Sequence, residues 1–211
     1  MSKEHAVRIT WLGHACFKVE FGDYAVVLDP FQDDYVPGFG PVRETAQLVL
    51  CSHDHADHNF TGAVKVEPKE PSPLTITKLT VFHDDKEGSL RGKSTIHILD
   101  DGKLRVAHLG DVGCELTAEE KEKLSGLDAV MIPVGGYYTI DAVQAKKLVD
   151  EIQPKVVIPM HYRGEHFGYD VLGTVDMFTD LCELVVNYPG PALEVSEETQ
   201  PHVAVLTYEA E

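Results

Sequence analysis

Short runs of alternating or β-branched hydrophobic residues dominate the first half of the chain, with Gly, Pro or Asp between them. Their spacing predicts strands over residues 7–11, 16–21, 24–29, 48–51, 63–66 and 79–83. Residues 94–99 and 104–108 flank the turn Asp100-Asp101-Gly102-Lys103, whose Asp-Gly step favours the positive φ angles of a tight hairpin. We therefore expect these two segments to pair as neighbouring strands.

Signals that predict α-helices appear only in the second half of the chain. Thr117-Ala118-Glu119-Glu120 has the pattern of a capping box and predicts a short polar helix ending near Gly126, while Thr139 is the candidate cap of a longer helix reaching Ile152. Apolar residues recur along one face of the longer helix, at Ala142, Ala145, Leu148, Val149 and Ile152. Pro154 ends this helix, and a strand over 155–158, a helix over 174–184 and a strand over 202–208 follow.

Strands first, and then strands alternating with helices, predict an α/β fold in which two β-sheets are flanked by helices on their outer faces. The chain has 211 residues, and its hydrophobic content of 43% is sufficient for a substantial core. There is no tandem repeat or linker-like segment. We therefore predict one domain over residues 1–211.

Composition narrows the expected location and partners. The first eight residues lack the apolar core of a signal peptide, and no apolar run approaches the roughly 18 residues of a membrane span, so we expect a cytoplasmic protein without membrane contact. The net charge of −17 argues against nucleic-acid binding; solubility explains it most simply, although metal cations could neutralise part of it. The cysteines lack close pairs and are expected to be reduced thiols: Cys16, Cys51, Cys114 and Cys182.

The highest density of candidate metal ligands lies in the run Cys51-Ser52-His53-Asp54-His55-Ala56-Asp57-His58, directly after a predicted apolar strand. It places three imidazoles and two carboxylates within eight residues. Zn²⁺ and similar cations favour imidazole nitrogen and carboxylate oxygen, and a turning loop can bring such ligands together. His53 and His55 would bind one ion, and Asp57 and His58 a second. The alternative is a solvated polar loop.

This run reproduces the pattern His-x-His-x-Asp-His, by which the sequence resembles the metallo-β-lactamase superfamily. The resemblance extends from Trp11-Leu12-Gly13-His14 to His161 and includes, in order, Phe82-His83-Asp84-Asp85, Leu109-Gly110-Asp111-Val112-Gly113 and Pro159-Met160-His161-Tyr162. The early Gly-His and the segment Leu28-Asp29-Pro30-Phe31 are similar to the compact branch that includes L-ascorbate-6-phosphate lactonase. The resemblance implies an αββα sandwich and a metal-dependent hydrolase.

The resemblance to the superfamily also implies three further ligands: His83 for the first ion, His161 for the second, and Asp111 bridging both. The residues agree with these roles, because Asp111 lies in a glycine-flanked turn and His161 follows a predicted apolar strand. Two alternatives stay open. His161 could be a core histidine bonded to a carbonyl, and His108, which lies close to Asp111, could replace His83.

Four other residues are candidates for substrate binding or for support of the ligands. Asp29 could orient a ligand histidine, or it could simply end a strand in a turn, and His14 could reach the site or cap a turn. Arg91 and Arg163 lie near the ligand-bearing loops and could hold a carboxylate or phosphate. Tyr137 and Tyr138 could line the pocket or serve packing.

Together these residues predict a hydrolase with two divalent ions, zinc first and manganese or iron as alternatives, that uses a metal-bridging hydroxide. Asp57 or Asp111 could accept a proton during the reaction. The expected substrate is a small anionic ester, lactone or phosphoester. A non-catalytic metal- or metabolite-binding protein of the same fold is the alternative. No Gly-x-Ser-x-Gly or phosphate-binding Gly-rich motif supports a different hydrolase class.

Overall fold

The computed structural model of the protein describes residues 5–209. Its strands in chain order are β1 (Ala6–Gly13), β2 (Cys16–Phe21), β3 (Tyr24–Leu28), β4 (Glu44–Ala46), β5 (Leu48–Leu50), β6 (Val64–Val66), β7 (Thr75–Phe82), β8 (Lys93–Asp100), β9 (Arg105–His108), β10 (Ala129–Pro133), β11 (Val156–Met160), β12 (Val185–Asn187), β13 (Ala192–Ser196) and β14 (His202–Val205). The helices are a 3₁₀ turn (Thr61–Ala63), α1 (Ala118–Lys123), α2 (Ala142–Ile152) and α3 (Asp176–Thr179).

The strands form two main sheets. The first has five strands in the order β13-β1-β2-β3-β5, antiparallel except for the parallel pair of β3 and β5. The second has seven strands in the order β12-β14-β11-β10-β9-β8-β7. Strands β4 and β6 form a separate parallel pair. The prediction of a mixed α/β fold with two sheets is confirmed.

The core joins the two sheets. One continuous cluster of buried apolar residues includes Ile9 and Val19 of the first sheet together with Val106 and Val130 of the second. All five residues of β10 and all five of β11 are buried, as expected of central parallel strands that are covered on both faces. Such strands read as continuous apolar runs rather than alternating ones. The pattern predicts β11 but misses β10, although both strands have this character.

Within residues 5–209 each of the three predicted α-helices is shorter than predicted. Helix α2 contacts β10, and α1 and α3 contact α2, so the α-helices of the described segment gather on the seven-stranded sheet. The capping box at Thr117 is confirmed. Thr139 is not the cap of α2: Asp141 accepts from Gln144 N at 2.9 Å, and the Gln144 side chain accepts from Asp141 N. None of the helices within residues 5–209 has the length and apolar character that crossing a membrane requires.

The predicted helix over 174–184 is wrong, because only α3 forms there. Its first turn has no side-chain cap, and Met177, Leu181 and Leu184 are exposed, so further turns would gain little burial. The hairpin of β8 and β9 forms as predicted, with Asp100 opposite Arg105. The last strand ends at Val205 rather than at residue 208, and the pattern missed β4, β12 and β13, each of which has at most five residues.

Candidate metal centre

Each candidate ligand follows the carboxyl end of a strand. His14 follows β1, and the loop with the signature motif follows β5. His83, Asp111 and His161 follow β7, β9 and β11 of the other sheet. The strand ends of both sheets therefore deliver the ligands to one place.

Two glycines allow the second-sheet loops to approach one another. A Cβ at Gly113 would overlap the backbone of His83 and Asp84, and a Cβ at Gly135 would overlap the carbonyl of His161. Only glycine leaves room for such close backbone contacts. Gly113, two residues after Asp111, thus allows the backbone of His83 to lie close to the Asp111 turn.

Within residues 5–209 the candidate ligands form two separate groups, outer and inner, and a third group of His53, His58 and Asp111 that overlaps the other two; the atoms of each group lie within 4.8 Å of one another. The outer group comprises His53, His55 and His83. The inner group comprises His14, Asp57, His58 and His161. His55 is exposed, whereas His14, His58 and His161 of the inner group are fully buried.

Asp111 lies between the two groups. Its Oδ2 is 3.2 Å from His58 Nε2 and 3.2 Å from His161 Nε2 in the inner group. The same oxygen is 3.4 Å from His83 Nε2 and 4.0 Å from His53 Nε2 in the outer group. The carboxylate is 2% exposed. It is therefore positioned to contact ions held by either group.

The donor set fits divalent metal ions. Among the residues described, Nε2 of His53, His58 and His161 and Oδ1 of Asp111 are buried without a hydrogen-bond partner. Leaving such atoms unpaired costs roughly 1–3 kcal/mol each, so their convergence points to a ligand that satisfies them together. Nitrogen and carboxylate oxygen are the donors that zinc, iron and manganese accept.

Hydrogen bonds to Nδ1 of His53 and His58 determine that Nε2 of each ring faces the cluster. Asp29 accepts from Ser52 N and Ser52 Oγ, both at 2.6 Å, and from His58 Nδ1 at 2.8 Å. Since the Ser52 hydroxyl donates to Asp29, His53 Nδ1 donates to Ser52 Oγ at 2.9 Å. Nε2 of both histidines is thereby left free to bind metal. Asp29 occupies the supporting position that the sequence suggested, and Ser52 is a supporting residue that the sequence analysis missed.

The electrostatics of the cluster favour ionised carboxylates at Asp57 and Asp111 and neutral imidazoles at His14 and His53. His58 differs, because the neighbouring carboxylates, Asp111 first, raise its pKa above the ordinary value despite its burial. Burial lowers the pKa of His53 to about 3 and the pKa of His14 to about 4. Burial alone would raise the pKa of Asp29, but the nearby His108 and His58 and the Ser52 hydroxyl lower it to about 2. At neutral pH His14, His53 and Asp29 are therefore in the forms that bind or support a cation.

His83 and His108 have different surroundings. Nε2 of His108 contacts the Ala15 carbonyl at 2.8 Å, and Gly110 N donates to His108 Nδ1 at 3.1 Å, so both ring nitrogens are occupied. His83 belongs to the outer group. The structure brings His83 and not His108 into the cluster, although the role of His83 as a ligand stays a prediction.

A cavity of about 480 Å³ opens over the outer group and Asp57. Arg91 lines it, with its guanidinium 5.4 Å from the centre of the Tyr138 ring. Tyr35 and Tyr169 complete an aromatic wall that the sequence analysis did not identify. Of the two tyrosines considered, Tyr138 lines the cavity.

The loop that carries Arg91 is organised by Asp84. This buried carboxylate accepts hydrogen bonds from four backbone amides, those of Lys86, Gly88, Leu90 and Arg91, at 2.8–3.0 Å. Sequence reasoning missed this role. An aspartate directly after a strand, followed by Gly88 and Gly92, is the signal that could have indicated a carboxylate-centred turn.

Arg163 lies outside this cavity, contrary to its prediction as a substrate residue. Its Nε donates to the Leu172 carbonyl at 2.7 Å, and the residue borders a different cavity with Trp11 and Tyr162. The backbone takes a left-handed turn at His161, with φ of 54°, two residues before Arg163. Cys114, not expected to be a ligand, lines a third cavity.

The comparisons with known proteins agree with this architecture. Residues 8–161 match the family model described as the Beta-lactamase superfamily domain, which covers most of the chain and every candidate ligand. The chain belongs to the metallo-β-lactamase superfamily. The implied family and fold are thus confirmed, and the link to the ascorbate-phosphate lactonase branch stays a prediction.

Relatives within the superfamily are similar over much of their length. A UPF0173 metal-dependent hydrolase from Thermoplasma acidophilum is 30% identical over 188 residues, covering 74% of this chain and 83% of the relative. Another from Hyperthermus butylicus is 27% identical over 192 residues, covering 73% and 82%. A crystal structure from Thermotoga maritima, named as a Zn-dependent hydrolase of the same superfamily, is 30% identical with a TM-score of 0.73, covering 95% of this chain and 98% of that one.

Proposed function

We propose that this metal-dependent hydrolase of the metallo-β-lactamase superfamily holds two divalent cations and acts on a small anionic ester, lactone or phosphoester. The observation that carries the proposal is the position of Asp111. Its Oδ2 lies 3.2–4.0 Å from imidazole nitrogens of both ligand groups. A carboxylate in that position can bridge two ions, and no single tetrahedral site can use so many donors.

Two divalent cations, with zinc expected first and manganese or iron as alternatives, supply Lewis acidity and lower the pKa of bound solvent toward about 7. The chain provides the proton acceptor. Oδ2 of Asp57 faces His14 at 3.4 Å and His58 at 3.5 Å, which leaves Oδ1 to receive a proton at the edge of the cavity. Asp111 is the other candidate acceptor, but its burial makes it less accessible to substrate.

Arg91 supports an anionic substrate. It is the cationic side chain among the residues that line the cavity, and the amides bound by Asp84 hold its backbone in place. Packing against Tyr138 limits the freedom of the guanidinium, so less entropy is lost when it binds a carboxylate or phosphate. The cavity volume of about 480 Å³ lies in the range of small-molecule sites, which are roughly 300–1,000 Å³.

Metal analysis and a substrate screen test the proposal together. We expect wild-type protein to hold two ions per chain, and His55→Gln and His161→Gln each to hold about one, because each variant weakens a different group. His97→Gln is the matched control, since His97 is also buried but lies outside both groups. A wild-type stoichiometry that stays at one under metal-replete conditions would contradict the dinuclear site.

The screen compares lactones, phosphodiesters and esters that carry a free carboxylate with neutral analogues of the same size. We expect turnover of at least one anionic class, and a decline below neutral pH because the ligand imidazoles must stay neutral. Two bound ions without turnover of any class would favour the non-catalytic metal-binding alternative.

A further inference from the structure

His14 lies in the short turn between β1 and β2, and its side chain is fully buried. Both of its ring nitrogens lack a hydrogen-bond partner within the described part of the chain. Its backbone is held firmly, since the His14 carbonyl accepts from Trp11 Nε1 at 2.9 Å and from His161 N at 3.3 Å. The backbone adopts a left-handed φ of 51°, which a residue other than glycine adopts at some cost. The fold thus fixes a buried imidazole whose nitrogens are unpaired.

The surroundings of His14 match those of a metal ligand. Its Nε2 lies 3.4 Å from Oδ2 of Asp57, and its ring centre lies 4.1 Å from that of His161. Two donors that each lie about 2.1 Å from one ion, at angles of about 90–120°, lie about 3.0–3.6 Å apart. The spacing of His14 and Asp57 therefore fits two donors on a shared cation.

Two simpler roles explain these observations less well. A hydrogen bond to Asp57 would be long, because N–H···O bonds usually span about 2.7–3.2 Å. A packing role predicts nitrogens that are paired, as in His108, where both nitrogens have backbone partners. His97 is a buried histidine that also has an unpaired Nδ1, but it belongs to neither ligand group.

We propose that His14 is a protein ligand of the inner ion, in addition to Asp57, His58, His161 and the shared Asp111. The inference rests on the proposed dinuclear site. It makes the two ions unequal: the inner one has five protein ligands, and the outer one has four, from His53, His55, His83 and Asp111. The inner ion thus has a coordination number above the four typical of structural zinc.

The direct test uses wild-type protein in which histidine is labelled with ¹⁵N. The metal-free chain is loaded with ¹¹³Cd, and NMR then counts the histidines that coordinate cadmium. The proposal predicts ring nitrogens of six histidines coupled to cadmium, namely His14, His53, His55, His58, His83 and His161. Two bound ions with coupling to only the other five would overturn the role of His14 and leave the dinuclear site intact. Binding of a single ion would instead contradict the proposed function. This measurement does not depend on the folding of any variant.

Variants loaded with Co²⁺ give an independent readout. His14→Gln keeps an amide that can donate to Asp57 but removes the imidazole, and His97→Gln is the matched control. We expect His14→Gln to weaken binding of the inner ion about 10- to 100-fold and to intensify visible absorption per bound cobalt, because a lower coordination number changes the geometry. The control should match wild type. Unchanged absorption and affinity in His14→Gln would overturn the proposal.

Discussion

The inner and outer ligand groups differ in how firmly the fold holds them. The inner histidines are completely buried, and the backbone of His14 and His161 is left-handed. Asp29 orients His58 by accepting a hydrogen bond from its Nδ1. The outer group includes His55, which is exposed at the cavity. Rigid, buried ligands favour metal retention, whereas an accessible group leaves room for substrate. For the proposed dinuclear site we therefore expect the inner ion to be retained and the substrate to approach the outer ion.

The largest effect is expected when Asp111, which lies between the two groups, is replaced. Asp111→Ala should lose both ions and reduce turnover by about three orders of magnitude, since several kcal/mol of charge stabilisation disappear. Circular dichroism should show the fold retained. Asp54→Asn, which removes a carboxylate from the same loop as the ligands but outside both groups, should keep two ions. An Asp111→Ala protein with two ions and near-wild-type turnover would refute the bridging role.

A smaller effect should reach the inner group alone. Asp29→Asn keeps the size of the side chain but removes the charge that orients His58. Loss of such supporting groups typically weakens metal binding about 10- to 100-fold. Calorimetric titration of the metal-free variant should show this loss for one ion and near-normal affinity for the other. Equal weakening of both ions would mean that the two groups are not independently supported.

The same aspartate makes a pH-dependent contribution to stability. Its folded-state pKa is lowered to about 2 from the ordinary value of 3.8. Its ionised form therefore stabilises the fold above pH 3.8, and this stabilisation is lost as pH falls toward 2. Between pH 6 and pH 3 the difference in unfolding free energy between metal-free wild type and Asp29→Asn should shrink by about 1 kcal/mol. Urea denaturation at both pH values measures it. A difference that is constant or grows would contradict the assignment.

An effect of similar size is expected on the substrate side of the outer group. Arg91→Met should raise KM for anionic substrates about 10-fold, because a hydrogen bond to a charged group is worth about 1.5–3 kcal/mol. Neutral analogues should be unaffected. Arg163→Met is the matched control, since Arg163 lies at a different cavity. Similar KM changes for both substrate classes would exclude Arg91 as an anion-binding residue.

The sequence predicted those parts of the molecule that depend on local pattern. Strands β1 to β3, the β8–β9 hairpin and the capping box at Thr117 have local signals, and the structure contains them. The cap of α2 was misassigned by two residues, because Thr139 and Asp141 are both good caps and only the surrounding chain selects one.

The candidate site was less predictable because its relations are non-local. The motif of residues 53–58 identified ligand types, but the pairing of Asp29 with His58 and the isolation of Arg163 depend on how the strand ends meet. The burial of His14 beside His161 depends on contact between residues that are far apart in the chain. Sequence spacing alone contains no such information.

The ligands come from both sheets, and this origin has a kinetic consequence. His14 and the 53–58 loop belong to the five-stranded sheet, whereas His83, Asp111 and His161 belong to the seven-stranded sheet. Each proposed ion would therefore link residues from both sheets, and we expect this link to form only after the sheets have docked. Stopped-flow measurements should show that chelation accelerates unfolding while refolding keeps nearly the same rate, because the metal stabilises the native state without affecting the preceding transition state.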